Sequence, residues 1–295
     1  MMKKAVLTIS LLFACIAVPA RKETGAIYLS PVAPMYFGPN AFPVPDMLDG
    51  RTSGNFMAEL YTDSYFGTLA GKDISDDYTA DIFIRLTAPL FSPRVNLCIW
   101  GNAMEYFHTG PAINAFRGIK EEGILRKASG IGDIYISTDI HILKQERMWV
   151  DFAIRAAIKT ASGEYYKYAR YYDCPGYFFD GSFGRDFRLG NKAVLRTSVS
   201  GGFLCWQLDN WRQNDAFMYG LRASLTAGRF FISETWGGYL GWRDHGDSPM
   251  TIKTKVSWSF GNIFLNIEHQ YGFKDWPFHQ LRFGLCYRFC AFRMT

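Results

Sequence analysis

The feature that most limits what this chain can fold into is a two-residue alternation of apolar and polar side chains, recurring from about residue 53 to the end. Tyr78, Ala80, Ile82, Ile84 and Leu86 alternate with Thr79, Asp81, Arg85 and Thr87. Ile134, Ile136, Ile140 and Ile142 alternate with Asp133, Ser137, Asp139 and His141, and Val150, Phe152, Ile154 and Ile158 with Asp151, Arg155 and Lys159. Later, Ile252, Val256 and Trp258 flank Lys253 and Lys255, and Ile263, Leu265 and Ile267 flank Asn266 and Glu268. Successive strand side chains point to opposite faces, so each run has one apolar and one polar face. No long helical period competes with them.

The pattern predicts twelve strands, near 53–63, 77–90, 93–106, 129–143, 147–160, 175–187, 192–206, 214–227, 229–242, 249–260, 262–273 and 278–291. Most are about twice as long as an ordinary soluble strand of roughly 5–6 residues. They suit a tilted crossing of a bilayer, which needs roughly 9–11 residues. The connections alternate as well. Phe91 to Ser92, Lys144 to Glu146, Leu189 to Asn191, Gly228 and Gly261 make short links, whereas 62–76, 107–128 and 161–174 are long. Short turns at one end and longer loops at the other mark outer-membrane barrels. Aromatic residues form 17% of the chain and charged residues only 20%, an aromatic-rich balance for a soluble domain. A soluble sandwich or lipocalin-like barrel would alternate too, but with shorter strands and a charged outer face. The expectation is an all-β, transmembrane, antiparallel up-and-down barrel over residues 53–295, surrounded by outer-membrane lipid.

Before it, Lys3 and Lys4, the apolar run Ala5 to Val18 and the Pro19-Ala20 end read as a secretory signal over residues 1–20. Residues 21–52 carry Pro31, Pro34, Pro39, Pro43 and Pro45. They are predicted to be extended rather than helical. The favoured reading is a periplasmic lead-in to the first strand, with a partial plug of the barrel mouth as the alternative. Net charge is +5, or +3 without Lys3 and Lys4, and no basic cluster points to nucleic acid. No cysteine, histidine or carboxylate spacing implies a metal or cofactor.

Near the end, Arg282-x-Gly284-x-x-Tyr287-x-Phe289 resembles the carboxyl-terminal signal by which outer-membrane proteins are recognised by the barrel-assembly machinery. The resemblance implies that machinery as a partner. The chain runs six residues past Phe289, whereas the signal commonly closes the sequence. The blocks "GDIYISTDIHILK" and "KTASGEYYKYARYYDCPGYFFDGSFGRDF" resemble an uncharacterised, porin-like group of Gram-negative outer-membrane barrels. That resemblance implies a fold and a location, and brings no functional residues with it.

With the apolar faces toward lipid, the lumen is expected to hold Asp81, Asp133, Asp139, Asp151, Asp180 and Glu268 opposite Arg85, Arg155, Arg196, Arg222, Lys253, Lys255, Arg282 and Arg288. Acids gather on the fourth and sixth predicted strands and bases on the seventh, eighth, tenth and twelfth. Such walls would set a transverse field able to orient a polar solute. A closed interior cross-linked by ion pairs is the competing reading. Tyr165, Tyr166, Tyr168 and Tyr171 form a cluster that could contact an external ligand or fold inward, although a tyrosine-rich rim at the membrane interface is favoured. Ser137, Asp139 and His141 share a face, but neighbours there are about 7 Å apart, too far for a relay. The expected function is therefore a porin-like passage for small polar solutes, not an enzyme. A closed barrel whose loops bind a partner or glycan is second, and a hydrolase third.

Overall fold

In a computed structural model, the protein is described over residues 34–69, 72–119, 125–208, 213–241 and 247–289. The expected signal segment over residues 1–20, residues 21–33 and Cys290 lie outside the described residues. No helix among the described residues is long and apolar enough to cross a membrane, so any crossing is made by strands.

The strands are β1 (Met57–Leu69), β2 (Lys72–Leu90), β3 (Ser92–Thr109), β4 (Lys127–Gly130), β5 (Ile134–Leu143), β6 (Asp151–Lys159), β7 (Gly176–Leu189), β8 (Ala193–Gln207), β9 (Gln213–Ala227), β10 (Phe230–Gly241), β11 (Met250–Phe260), β12 (Ile263–Lys274) and β13 (Phe278–Arg288). A short helix, α1 (Pro111–Phe116), follows β3. Consecutive strands pair antiparallel, except that β4 and β5 both pair with β3, and β13 returns to β1 over eleven register pairs, from Met57↔Arg288 to Gly67↔Phe278. That pairing closes the sheet and removes its edges.

Twelve staves form the barrel, as the alternation predicts, but one stave is broken. β3 pairs with β5 over Val95–Gly101 and with β4 over Glu105–His108. β4 and β5 thus share the predicted strand 129–143, interrupted at residues 131–133, where Gly132 donates its N–H to Asn102 O at 2.9 Å. The expected long link over 62–76 is a second departure. β1 and β2 remain paired out to Thr68↔Asp73 and Leu69↔Lys72. Only residues 70–71 connect them. Beyond the lipid band an outward face need not be apolar, so Ser64 and Thr68 hide the strand from a hydrophobic-alternation test.

The faces divide as expected. Leu60, Phe66, Ile84, Leu86, Leu221, Trp236, Leu265, Ile267, Phe283 and Leu285 are exposed on the outer wall, an apolar belt that only lipid would cover. Asp63, Asp81, Glu105, Asp151, Arg155, Lys159, Asp180, Arg196, Glu268 and Arg282 are buried on the inner wall. A packed apolar cluster also lies inside, toward the loop end. It includes Phe37, Phe42, Tyr135, Tyr172, Phe178, Leu204, Trp206 and Tyr239. Three of its members, Phe37, Ala41 and Phe42, come from the proline-rich segment rather than from any strand.

Candidate functional site: a lumen occupied by the chain's own N-terminal segment

Residues 34–53 thread the barrel from the loop end to the short-turn end. At the loop end Tyr36 stacks on Phe116 at 5.0 Å, Arg117 Nη2 donates to Phe37 O at 3.2 Å, and Trp276 Nε1 donates to Pro39 O at 3.1 Å. Phe42 packs edge-on against Trp206 at 5.8 Å, and its carbonyl accepts from Tyr239 Oη at 3.3 Å. At the other end Gly50 N–H donates to Ser182 Oγ at 2.6 Å, Arg51 pairs with Asp186 at 3.2 Å, and Thr52 Oγ1 donates to Pro93 O at 3.0 Å. The ten steps from Phe42 to Thr52 reach at most ~33–36 Å when extended, enough to span a lipid band about 25 Å tall. The expectation of a periplasmic lead-in therefore fails over the described part of residues 21–52, which lies in the lumen.

Local chemistry explains why this segment can sit there. Pro43 and Pro45 fix their own φ and push Phe42 and Val44 toward extended conformations. Each also lacks an N–H, which removes a donor that a buried strand would otherwise have to satisfy. The remaining polar groups meet the wall. Asn40 Nδ2 donates to Asp81 Oδ2 at 2.6 Å and Glu105 Oε2 at 2.8 Å, bridging two acids that face each other across β2 and β3. Asp46 pairs with Arg85 at 2.9 Å and with Lys253, and its carbonyl accepts from Arg155 Nη2 at 2.8 Å. Asp49 takes Arg196 Nε at 3.0 Å and Ser198 Oγ at 3.0 Å on one carboxylate oxygen, while its carbonyl accepts from Arg196 Nη2 at 2.7 Å.

The predicted charged residues of the inner wall are brought together largely in pairs. Arg155 pairs with Asp180 at 2.7 Å, Lys159 with Asp133 at 2.6 Å, Lys255 with Glu268 at 2.8 Å, and Arg196 with Asp151 at 2.9 Å and Asp186 at 2.7 Å. Arg282 grips Asp63 through two bonds of 2.6 Å. Several are register partners, including Arg155↔Asp180, Lys255↔Glu268 and Asp63↔Arg282. The acidic wall facing a basic wall is thus largely cancelled by neighbours on adjacent strands. Asp139 accepts from Ser137 Oγ at 2.9 Å, and His141 Nε2 meets Asp151 at 3.1 Å. The serine and histidine of the weighed relay are engaged with different acids. Arg288 sits inward near the short-turn end, over the Phe264 ring at 5.1 Å.

The tyrosine cluster departs from the expected rim. Its loop folds inward: Tyr171 is buried with its hydroxyl donating to Glu105 Oε2 at 2.9 Å, and Arg170 pairs with Glu105 at 2.9 Å. Tyr166 packs edge-on against Tyr172, which meets Phe37 and Phe42. Tyr165 donates to Ser129 O at 3.0 Å and lies beside Tyr168. In the final strand Gly284 lies opposite Tyr61, where an added Cβ would enter the Tyr61 ring, while Tyr287 and Phe289 contact edge-on at 4.7 Å on the outer surface. Asp46, Asp49, Asn40 and Gly50, the lumenal anchors of the threaded segment, carry no period or spacing that marks them in the sequence.

What remains open inside is a set of clefts around the segment. One, about 150 Å³, lies between Val44–Met47 and the inner wall, mainly the inner faces of β8–β13. Two others, about 90 and 210 Å³, lie toward the loop end and the short-turn end. Asp46 and Arg85 line all three, so the clefts meet at that ion pair.

No family model matches the sequence, and no curated protein matches it. Among solved structures, an outer membrane channel from Pseudomonas putida F1 is similar with a TM-score of 0.57 at 11% identity, over 85% of this chain and 97% of that one. The NanC porin is similar with a TM-score of 0.48 at 9% identity, over 79% of this chain and all of that one. The first of these shares this chain's fold, a closed barrel of the outer-membrane type.

Proposed function

We propose that the protein is an outer-membrane channel for small polar solutes, held shut by its own residues 37–53. The carrying observation is the threaded segment: apolar contacts of Phe37 and Phe42 close the loop end, while Asp46 and Asp49 tie the middle and the short-turn end to the wall. The apolar outer belt supports a place in a lipid bilayer, and the short turns support a periplasmic side. Twelve strands enclose more than the side-chain-filled interior of an eight-stranded barrel and less than a sixteen-stranded porin. A single extended chain is enough to occlude such a bore. Opening then requires the segment to leave or shift, while the staves, tied by their own ion pairs, stay closed on one another.

Planar-bilayer recording tests the reading. Refolded full-length protein should give rare, small steps, and a variant lacking residues 34–52 should give long-lived, larger ones. A variant that keeps the heat-modifiable mobility of a folded barrel but gives no steps contradicts a channel.

A further inference from the structure

Subtracting the ion pairs internal to the wall leaves an imbalance around the cleft beside Val44–Met47. Arg155 is matched by Asp180, Lys255 by Glu268 and Arg282 by Asp63. Arg85, Lys253 and Arg222 remain. Among the described residues, the acid in direct ion-pair contact with Arg85 and Lys253 is Asp46, which belongs to the threaded segment and not to the barrel, while Glu59 of β1 lies across from Arg85 in register without an ion pair to it.

Arg222 has no acidic partner among the described residues. Its Nη2 reaches Ser233 Oγ only at 3.4 Å, and its Nε has no hydrogen-bond partner although the atom is buried. Arg222 and Lys253 face the same Thr235 across β9, β10 and β11, which sets their backbones about 10 Å apart at two strand spacings. The wall between and beside them is low. Ser200, Gly201, Gly237 and Gly238 line the cleft, leaving a recess beside two cations.

From this we infer that the cleft is a binding site for small organic dianions, and that Asp46 occupies one half of it as a built-in carboxylate. One carboxylate of the solute takes the place of Asp46 between Arg85 and Lys253; the other meets Arg222. The inference rests on the channel reading and adds to it the solute class and a means of opening: the solute competes with the segment's own anchor. A neutral solute has nothing to offer these cations and does not displace the segment. Guanidinium groups bind carboxylates through paired, directional bonds, so charge and geometry both select. Added salt weakens the site, because part of the cleft is wet.

Titration calorimetry on detergent-solubilised full-length protein at low salt provides the test, with succinate as the probe and butane-1,4-diol as its uncharged counterpart. Asp46→Asn should bind succinate at least tenfold more tightly than the unaltered chain, because the competing carboxylate is gone. Arg222→Gln, which touches no contact of the segment, should weaken succinate binding about tenfold in either background. The diol should not bind. Equal succinate affinity with and without Asp46 and no effect of Arg222→Gln overturns the inference, as does diol binding as strong as that of succinate. If Asp46→Asn increases conductance while these affinities stay equal, the channel reading stands and the dianion site falls. If neither Asp46→Asn nor the deletion of 34–52 conducts, the channel reading falls and takes the site with it.

Discussion

Replacing Gly50 with valine should release the lower end of the threaded segment without touching the staves. Gly50 has φ +71°, and a Cβ built on it would lie 2.7 Å from Gly184 N and 3.2 Å from Phe183 C. Both atoms are backbone of β7, which cannot swing aside as a side chain could. A β-branched residue held in the left-handed region costs about 1–3 kcal/mol. Losing the Gly50 N–H bond to Ser182 Oγ, 2.6 Å long, removes a further ~0.5–1.5 kcal/mol. Together these shift the docked-to-released balance by about 1.5–4.5 kcal/mol, or roughly 10- to 1,600-fold at 1.4 kcal/mol per decade. Single-channel recording should therefore show a rise in open probability of at least about tenfold, with the heat-modifiable mobility unchanged. Gly190→Val is the control. Gly190 also has positive φ, at +63°, but a Cβ there meets nothing within 4 Å. It should carry the backbone strain and leave gating alone. Equal open probability in both variants would refute the claim that Gly50 anchors the segment to the wall.

Other perturbations probe separate parts of the account. Arg170→Met leaves Glu105 buried beside Asp81 without its partner, a change that costs about 3–5 kcal/mol for a buried pair; the barrel should lose its folded gel mobility at a lower temperature, and protease should cut the 161–174 loop faster. Gly284→Ala forces the Tyr61 ring off the wall at the β1–β13 closure, so the yield of heat-modifiable barrel should fall severalfold while the amount exported stays the same. Cys174, in the inward-folded loop, is buried, and burial pushes its thiol up to about 12 despite the nearby Lys159 ammonium. Below that pH it stays protonated, so a maleimide at pH 8 should leave it unmodified in the native barrel and label it after denaturation; rapid labelling of the native protein would show that the loop does not pack as described.

Much of the barrel was legible because its signal is local. An outward apolar side chain every second residue needs no knowledge of the rest of the chain, and the runs around Ile82, Ile136, Ile154, Val256 and Ile267 declare their faces directly. The signal fades where the surroundings change. At Ser64 and Thr68 the outward face is no longer apolar, so the ends of β1 and β2 read as a loop. At residues 131–133 a short break splits one stave in two. Register was not legible, because the pairing Arg155↔Asp180 or Asp63↔Arg282 depends on how the strands slide. The two charged walls of the sequence reading therefore become neighbouring ion pairs in the fold. The threaded segment was the least legible part. Asn40, Asp46 and Asp49 find their partners on the wall 25 to 207 residues away, and prolines announce an extended chain without saying where it lies.

The most direct measurement is a cross-link between the segment and the wall. An added Cβ at Gly220 would lie 3.1 Å from Met47 Cγ, the position the sulfur of a cysteine at 47 would take, which brings the two side chains within reach of a disulfide, whose Cβ atoms lie about 3.5–4.5 Å apart. Cys98, Cys174, Cys205 and Cys286 are buried free thiols and compete poorly for the oxidant. In a Met47→Cys, Gly220→Cys double variant, mild oxidation in native membranes should join the two positions, and the joined protein should stay closed in a bilayer until reduced. Failure to form the 47–220 link in the folded barrel, or full conductance with the link intact, would contradict a segment that runs through the lumen and shuts it.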